Sequence, residues 1–579
     1  MAAPNFRQTL LTYLVPQWGR LTLLTVAMLG SISLQLIVPL ILRWFIDGAL
    51  AGTASTGLVT AGIAYLLAGF GTSMLSSVAT YLGADIGWTA TNRLREDLTE
   101  HVLDLDMSFH TDTTPGEMIE RIDGDVTAIA NFISRFVVRL LGAGLLLLGA
   151  LAICWLTHWW MGLTLTLYVV MSLVLIGRLR NMANNASEAE REASAQLYGY
   201  IEQRLAGLDD IRANGAGPQT MRRFVGVMRA YYFAGLTARM KRALFWVSTS
   251  GIFWAGDVFA LIVGVLLTTR GSITVGTAYL LVQYTTLVRT PVEQVAQEFQ
   301  QLQLAAGGLI RIDDIFARTK NVADDGDTPL PDEPLSVQFE AVDFGYEDDQ
   351  VLHRVDFRLS PGTVLGLLGR SGGGKSTIAK LTSHLYDPTG GRVLLGGIDL
   401  RQAQTASVRS AVAVVTQEVQ LFRASVRDNL TFFRHDRTDE EILAILDRAG
   451  LGDWVRHVGL ETQLGADGSG LSAGESQFLA FARVYLQDPR VVILDEPSSR
   501  LDPATESIIA AAMERLLSGR TVIVIAHRLG TVRVADEIMV VSDGRIIEHD
   551  VRDALLADPT SQYAQLLAAG RSDSLEVNQ

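Results

Sequence analysis

The stretch GRSGGGKST, residues 369–377, decides the fold of the C-terminal half of this chain. It fits the pattern G-x-x-x-x-G-K-[ST], and it lies between the apolar run TVLGLL and the helix-like run IAKLTSHLY. In such a strand–loop–helix unit, backbone N–H groups and the positive end of the helix face a polyphosphate. Lys375 is expected to contact the β- and γ-phosphates, and the Ser376 hydroxyl to bind Mg²⁺. The predicted phosphate-binding residues are Gly369, Arg370, Ser371, Gly372, Gly373, Gly374, Lys375, Ser376 and Thr377.

The sequence after Leu335 alternates between strand-like and helix-like stretches. Eight β-like runs, among them LSVQFEAV, TVLGLLG, AVAVVTQ, RVVILDE and TVIVIAH, are separated by helical ones. This alternation predicts an α/β domain with a largely parallel sheet. The interval 426–486 is helical in pattern almost throughout, so the α/β domain is expected to contain an inserted helical subdomain.

The run VVILDE places Asp495 and Glu496 at the end of a buried strand. This position matches the second nucleotide motif of phosphate-loop ATPases. Asp495 would hold Mg²⁺, and Glu496 would polarise the water that attacks the γ-phosphate. The alternatives are an ordinary glycine-rich turn at 369–377 and an Asp-Glu pair that caps the next element. The two motifs together predict the binding of ATP or GTP.

The first half of the chain has the composition of a membrane domain. No charged side chain occurs at 21–42, a length sufficient to cross about 30 Å of hydrocarbon as a helix. Two long stretches between apolar segments, 85–139 and 178–242, are rich in Arg and Lys and are therefore expected on the cytoplasmic side. The six predicted spans are 21–42, 57–84, 136–157, 159–177, 244–269 and 277–295.

Asp257 lies in the middle of an apolar span, LFWVSTSGIFWAGDVFALIVGVLLTT. Exposing a carboxylate to lipid costs about 3 kcal/mol or more, so the side chain is expected to face a cavity or a partner. One hypothesis is that Asp257 recognises a cationic substrate or a proton. The other is that it bonds to a Ser, Thr or Arg of a neighbouring helix, and the sequence does not choose between them.

Charge and cysteine content exclude some classes of function. The net charge of −14 argues against a nucleic-acid partner. The single cysteine, Cys154, lies in an apolar run, so the chain has no intrachain disulfide and no metal cluster built from thiols.

Further motifs resemble those of the ATP-binding-cassette exporters. LSAGESQ at 471–477 resembles their signature motif, and SSRLD at 498–502 resembles the loop that follows the catalytic carboxylate. In the membrane half, SFHTDTTPGEMIERIDGDVTAI at 108–129 and GLDDIRANGA at 207–216 resemble the two coupling segments, for which plain solvated helical hairpins are the alternative. The resemblance covers essentially the whole chain.

The resemblance implies roles for residues outside the phosphate loop. Tyr346 in DFGY would stack on adenine, and Gln417 in VTQE would sense Mg²⁺ and the γ-phosphate. His527 in IAHRL would be the catalytic switch beside Glu496. The implied contacts with the second subunit are the loop residue Asp502 and the signature residues Ser472, Ala473, Gly474 and Glu475, which would face the partner's ATP.

The resemblance also implies an architecture, a half-transporter. We expect an α-helical transmembrane domain of six helices and an α/β P-loop ATPase domain with an inserted helical subdomain. The expected boundaries are 1–320 for the membrane domain with its cytoplasmic extensions, 321–334 for a linker, 335–570 for the nucleotide-binding domain and 571–579 for a tail.

The implied activity is ATP-driven transport of an apolar or amphipathic small molecule, most simply export, across a cytoplasmic membrane. The implied cofactors are ATP and Mg²⁺, and the partners are a second half-transporter subunit, the lipid bilayer and the substrate, with no nucleic acid. The ATPase domain would lie in the cytoplasm. ATP-driven uptake, for example of siderophores, and an ATP-regulated channel or receptor are the alternatives.

The signature motif departs from the usual Leu-Ser-Gly-Gly-Gln at Ala473 and Glu475. If Glu475 points at a γ-phosphate about 6 Å away, repulsion is about 3 kcal/mol per unit charge at an effective dielectric near 20. That would weaken the partner's site and favour a heterodimer with two unequal ATP sites over a homodimer. Alternatively, Ser472 and Glu475 form a capping box, and the carboxylate then folds back on the start of its own helix.

Overall fold

The computed structural model describes most of the chain. The described residues are 12–346, 349–370, 372–417, 419–465, 470–495, 511, 513–515, 517–526 and 531–568, except for the side chains at 135–138, 181, 183, 296–304 and 473. The chain divides into two compact units: Met1–Leu103 with Pro115–Arg318, and Asp104–Thr114 with Thr319–Gln579. The described part of the first unit is helical and the second combines two sheets with helices, so the predicted fold class is confirmed.

The first unit is built of long apolar helices. Five helical segments of its described part are long and apolar enough to cross a membrane: Thr12–Leu50, Ser55–Asp104, Pro115–Thr157, Trp159–Ala206 and Gly217–Thr269. Because a bilayer needs only about 20 helical residues, these segments continue well beyond it. The helices are α1 (Trp18–Leu50), α2 (Ser55–Asp104), α3 (Met107–Asp112), α4 (Pro115–Ile119), α5 (Val126–Asn131), α6 (Gly142–Thr157), α7 (Trp159–Ala206), α8 (Leu208–Ala213), α9 (Gly217–Thr269), α10 (Val275–Leu287) and α11 (Arg289–Phe316), with π-helical stretches at Glu120–Asp125 and Phe132–Leu141.

The span expected at 277–295 is not one continuous helix. It is divided between α10 and α11, which meet at Val288. Pro291 lies three residues after this junction, and it has no N–H to donate to the carbonyl of Leu287. The missing hydrogen bond accounts for the interruption, so the stretch predicted as the sixth span consists of two helices in sequence.

The second unit contains two sheets and the inserted helices. An antiparallel sheet has the strand order β2-β1-β4-β5, and a six-stranded sheet has the order β10-β9-β3-β8-β7-β6, parallel except at β10. The strands are β1 (Val337–Tyr346), β2 (Asp349–Leu359), β3 (Val364–Gly369), β4 (Gly390–Leu395), β5 (Ile398–Asp399), β6 (Val412–Val415), β7 (Val491–Asp495), β8 (Thr521–Ile525), β9 (Glu537–Ser542) and β10 (Arg545–Val551). The described helices are α12 (Lys375–Thr382), α13 (Thr405–Ala411), α14 (Val426–Thr431), α15 (Asp439–Ala449), α16 (Gly452–Val458), α17 (Ala473–Gln487) and α18 (Arg552–Ala557).

Both faces of the six-stranded sheet are buried. On β8, Val522 and Val524 pack in one core with residues of the inserted helices such as Phe481. The alternate residues Ile523 and Ile525 pack in a second core on the other face. A parallel sheet that is covered on both sides needs continuous apolar strands, which explains why the runs that form β7 and β8 lack polar alternation.

Candidate functional site

The phosphate loop, Asp495 and Gln417 lie at one edge of the six-stranded sheet, where its parallel strands have their carboxyl ends. Leu367 in β3 is level with Ile525 in β8, and Ile525 is level with Asp495 in β7. The phosphate loop therefore begins two residues beyond the level of Asp495, with one strand between them. Gln417 follows β6, the next strand on the far side of β7. In open parallel sheets, ligands bind outside the carboxyl ends of the strands, which is where these residues are.

The phosphate loop depends on glycine for its conformation. Gly369, Gly372 and Gly374 have positive φ angles of 148°, 80° and 102°. A Cβ atom at Gly369 would collide with the backbone carbonyl of Val541 in the adjacent strand β9, so this position accepts no side chain. The loop ends at Gly374, which precedes the first residue of α12.

Lys375 is held inside the loop. Its side chain is buried, and Nζ donates hydrogen bonds of 2.8 Å to the carbonyl oxygens of both Gly369 and Arg370. These two hydrogen bonds hold the ammonium group against the backbone of the loop. This placement supplies a point charge where the sequence motif requires one.

The donor set at this edge is suited to a hard cation. Ser376 lies in the first turn of α12 with its side chain exposed, and among the described residues its hydroxyl makes no hydrogen bond. Asp495 ends the strand β7 at the same edge. Mg²⁺ prefers oxygen ligands in proteins, and the Ser376 hydroxyl and the Asp495 carboxylate are ligands of this kind.

Tyr346 ends β1 close to the helix that follows the phosphate loop. Its hydroxyl is 3.5 Å from Thr377 Oγ1, and its ring lies perpendicular to the rings of Phe344 and Tyr386, with centroids 4.9 and 5.4 Å away. Lys380 Nζ lies 5.1 Å from the centre of the Tyr346 ring. The tyrosine is therefore at the rim of the phosphate loop, where a base attached to a bound polyphosphate could reach it.

Several predicted site residues lie outside the described part of the chain. They are Ser371, Glu496, Asp502 and His527. Their roles stay predictions from sequence.

Glu475 in the signature motif forms the capping box. Its carboxylate accepts a hydrogen bond from the backbone N–H of Ser472 at 2.8 Å, and the Ser472 hydroxyl accepts one from the N–H of Glu475 at 3.2 Å. The indole Nε1 of Trp454 lies 3.5 Å from the other carboxylate oxygen. The N–H of Ser472 holds the pKa of Glu475 below its usual value, with the Ser472 hydroxyl and Trp454 acting in the same direction. The Glu475 carboxylate is therefore engaged in a hydrogen bond with the backbone at the start of its own helix.

Asp257 forms an ion pair with Arg289 inside the membrane unit. Arg289 is also 5.7 Å from the ring centres of both Phe253 and Trp254, on the same helix as Asp257. The pair joins α9 to the first turn of α11. Of the two hypotheses for Asp257, the structure supports the bond to a neighbouring helix.

A cavity of about 340 Å³ lies elsewhere in the membrane unit. Residues from α1, α2, the third span, α10 and α11 line it, and Asp257 is not among them. On α10 and α11 the lining residues are Leu287, Thr290, Pro291 and Gln294, which share one face at helical spacing. Arg289 lies off that face. The lining residues are Met28, Ser31, Ile32, Gln35, Ser76, Ala79, Thr80, Arg139, Gly142, Ala143, Leu146, Leu287, Thr290, Pro291 and Gln294.

Sequence reasoning missed the polar residues of this cavity. Among the described residues that line it, Arg139 is the single charged one, and Gln35 and Gln294 contribute amides. Arg139 lies near the start of the third apolar span, and a charged residue there could have indicated a polar site within the membrane domain, as Asp257 did. The amides gave none, because which face of a membrane helix borders a cavity depends on its neighbours.

Comparisons with known proteins agree with the two-unit structure. Residues 352–499 match the family model described as ABC transporter, and residues 21–292 match the ABC transporter transmembrane region. The chain is 28% identical over 580 residues to an uncharacterized ABC transporter ATP-binding protein, YknV, of Bacillus subtilis, covering 98% of this chain and 95% of that one. It is 29% identical over 599 residues to an ATP-dependent lipid A-core flippase of Chromobacterium violaceum, with 96% of each chain covered.

Two further similarities concern a transporter and a solved structure. A multidrug resistance ABC transporter ATP-binding and permease protein of Lactococcus lactis subsp. cremoris is 27% identical, over 84% of this chain and 83% of that one. The structure of a bacterial Atm1-family ABC exporter with ATP bound superposes with a TM-score of 0.79 at 25% identity. It covers 95% of this chain and 98% of that chain.

Proposed function

This chain belongs to the ABC transporters, and from that premise we propose that it exports an amphipathic small molecule from the cytoplasm as one subunit of a dimer. It is a half-transporter whose membrane domain is fused to a C-terminal ATPase domain, and its ATP hydrolysis is coupled to transport. Five helical segments of its described part are long and apolar enough to cross a membrane, and this supports a membrane-embedded transporter. The observation that carries the proposed substrate class is the cavity of the membrane unit.

The cavity is lined by both apolar and polar side chains. Met28, Ile32 and Leu146 offer hydrocarbon, whereas Gln35 and Gln294 offer hydrogen-bonding groups. A volume of about 340 Å³ lies within the range of small-molecule sites. A molecule with an apolar body and a polar end could contact both kinds of side chain.

Arg139 adds a charge preference to this proposal. Within the described residues it makes no hydrogen bond or ion pair, and no acidic side chain lines the cavity beside it. A cation within a membrane domain normally finds a partner, because leaving it unpaired is costly. We therefore propose that the substrate brings the partner, an anionic group. A lipid A-core flippase and a multidrug resistance transporter, two of the similar proteins, are consistent with an amphipathic cargo.

Asp257 is better explained as a structural residue than as a substrate ligand. Its charge is already compensated by Arg289, and it does not line the cavity. The hypothesis that it selects cationic substrates therefore lacks the free carboxylate that it requires.

At the nucleotide site, we propose that Lys375 neutralises phosphate charge while the backbone of the loop orients the polyphosphate. Ser376, Asp495 and Gln417 would hold Mg²⁺, which when bound offsets the negative charge of the phosphates. Glu496 would orient the attacking water, and His527 would sense the γ-phosphate. Phosphoryl transfer needs positioning and charge stabilisation more than covalent chemistry, and these residues supply both.

The identity of the partner subunit is a further proposal. Resemblance to exporters with one altered signature motif favours a heterodimer, in which the signature with Ala473 and Glu475 would serve the partner's ATP. The capping geometry of Glu475 weakens the electrostatic part of that argument. A homodimer with two equal sites is the alternative, and purification of this chain alone with an ATPase assay distinguishes them.

The experiment that tests export uses inside-out membrane vesicles or proteoliposomes that contain the full chain. A dansyl-labelled medium-chain carboxylic acid, its amide and the amine of the same length are supplied outside with Mg-ATP. We expect ATP-dependent accumulation, strongest for the carboxylate, and none in a Glu496→Gln variant. ATP hydrolysis without movement of any of the three compounds would contradict the proposed substrate class.

A further inference from the structure

The segment Asp104–Thr114, which lies within the stretch 85–139 predicted to be cytoplasmic and contains the start of the first predicted coupling segment, belongs to the compact unit that contains the nucleotide site. Lys320 Nζ, one residue before the predicted linker, lies 2.8 Å from a carboxylate oxygen of Asp104. Asn321 donates its backbone N–H to Asp106 and its side-chain amide to Ser108 Oγ, the latter at 3.2 Å. The start of α3 is thus fixed to the linker, and the chain runs from this segment directly into α2 on one side and α4 on the other.

The other end of α3 contacts an aromatic residue of the ATPase domain. Thr111 Oγ1 lies 3.2 Å from the hydroxyl of Tyr386. The single hydroxyl proton of Thr111 is directed at the carbonyl oxygen of Met107, 2.8 Å away. Tyr386 is therefore the donor and Thr111 the acceptor, because a threonine hydroxyl has one proton to give.

Tyr386 connects this contact to the rim of the phosphate loop. Its side chain is only 7% exposed, and its ring lies perpendicular to that of Tyr346 at a centroid distance of 5.4 Å. Lys380 Nζ lies close to both rings, 5.1 Å from the centre of the Tyr346 ring and 5.7 Å from the centre of the Tyr386 ring. The Tyr346 hydroxyl in turn is 3.5 Å from Thr377 Oγ1.

A buried ring in this position cannot move independently of its neighbours. Phe344 packs edge-on against both tyrosines, so the three rings form one cluster. Packed interiors are as dense as organic crystals, and a displacement of one ring is passed to the next. A base stacked on Tyr346 would fix one end of this cluster, and Thr111 touches the other end.

We propose that Tyr386 is a positioning residue that connects nucleotide occupancy at Tyr346 to the first coupling segment through its hydrogen bond to Thr111. The proposal rests on the proposed function, since it requires Tyr346 to contact the bound nucleotide. Because coupling between two sites is reciprocal, the same contact makes the position of α3 affect the affinity for ATP.

The experiment uses the full-length transporter in lipid nanodiscs, with a fluorophore on α3. Cys154 is the only cysteine and is buried, so Asp112→Cys at the exposed end of α3 gives one accessible thiol. The fluorophore response to Mg-ATP reports on α3, and a fluorescent ATP analogue reports on binding. Thr111→Val and Tyr386→Phe each remove one hydroxyl of the contact and keep the packed volume.

We expect both variants to reduce the ATP-induced response of the fluorophore about fivefold, the scale of one hydrogen bond in a two-state equilibrium. The double variant should lose no more than either single one. Thr111→Val should keep the thermal stability and the basal ATPase rate of the parent. Thr113→Val, in the same segment, and Tyr563→Phe, a buried tyrosine of the same domain, are matched controls that should keep the full response.

The proposed connection through Tyr386 would be overturned by a full fluorophore response in Thr111→Val and Tyr386→Phe. It would also be overturned if the double variant lost the sum of the two single losses. Tyr346→Ala separates this result from a failure of the nucleotide assignment. If Tyr346→Ala binds the ATP analogue as tightly as the parent does, the assumed contact with the base is wrong. In that case the proposed connection from Tyr346 through Tyr386 to Thr111 is overturned as well, because it assumes that contact.

Discussion

The carboxylate of Glu475 accepts a hydrogen bond of 2.8 Å from the backbone N–H of Ser472, three residues earlier. In the sequence, the same two residues suggested either this cap or a negative charge aimed at the partner's ATP. The closed capping box leaves the carboxylate directed at the start of its own helix. A glutamine at this position could make the same contact, so the departure from the usual signature motif has a local structural explanation.

The first prediction is that Glu475→Gln changes the ATPase rate of the assembled transporter by no more than about twofold. The charge is already engaged by the helix start, and glutamine preserves the cap. If the carboxylate instead repelled a γ-phosphate, its removal would relieve about 3 kcal/mol and accelerate the affected site roughly 100-fold. Steady-state phosphate release measures the difference.

The control for this prediction is Glu475→Ala, which removes the cap and the charge together. It should lower the free energy of unfolding by about 0.5–2 kcal/mol, the range for the loss of a cap at a helix N-terminus. A large gain in ATPase rate in both variants would establish repulsion.

The second prediction concerns the catalytic carboxylate. Glu496→Gln should leave ATP binding intact and reduce steady-state hydrolysis by at least about 100-fold, because it removes the base that orients water and leaves the phosphate loop unchanged. Lys375→Ala is the contrasting variant. It removes the ammonium group that bonds to the carbonyls of Gly369 and Arg370, so it should weaken ATP binding itself by about tenfold or more. Normal turnover in Glu496→Gln would exclude Glu496 from this role.

The third prediction concerns the ion pair in the membrane unit. Asp257→Asn removes the carboxylate that compensates the charge of Arg289, and a cation without its counter-charge is costly inside a membrane domain. We expect a lower melting temperature in lipid nanodiscs. The ratio of transport rates for anionic, neutral and cationic probes should not change.

The double variant Asp257→Asn, Arg289→Gln tests the pairing itself. Neutralising both residues removes the unpaired charge, so the double variant should be more stable than Asp257→Asn alone. A selective loss of cationic transport in Asp257→Asn, with unchanged stability, would restore the substrate hypothesis.

The fourth prediction concerns the cavity. Arg139→Gln should weaken binding of the dansyl-labelled carboxylic acid about tenfold and leave binding of its amide unchanged, because only the charge-assisted contact is lost. Arg139→Lys should retain most of the preference for the carboxylate. The control Arg178→Gln, at an exposed position that does not line the cavity, should behave as the parent does. Dansyl fluorescence in nanodiscs measures binding without turnover.

A further experiment with labelled lipids tests whether the anionic group belongs to a lipid headgroup or to a small soluble amphiphile. Labelled phosphatidic acid and phosphatidylcholine are compared for ATP-dependent movement between leaflets. Movement of phosphatidic acid that depends on Arg139 would identify a lipid headgroup as the ligand, whereas movement of the soluble carboxylate alone would identify a small amphiphile. Equal binding of carboxylate and amide by the parent protein would contradict the anion preference and leave ATP-driven export standing.

The sequence by itself determined the features that short stretches encode. The loop 369–377 has the glycine spacing of a phosphate loop, the run VVILDE is apolar up to its two carboxylates, and the cap at Ser472 involves residues only three apart. Long apolar segments likewise follow from composition. Such features depend on interactions between near neighbours in the chain, so they can be predicted without knowing the fold.

Only the tertiary structure decided which distant residues meet. Asp257 and Arg289 belong to different helices, Arg139 shares a cavity with residues of four other helices, and Thr111 reaches Tyr386 across 275 positions of sequence. Each of these contacts depends on the rotation of a helix about its axis and on its packing against others. One residue of difference turns a side chain by about 100°, so a pattern of apolar and polar residues leaves the partner open until the helices are packed.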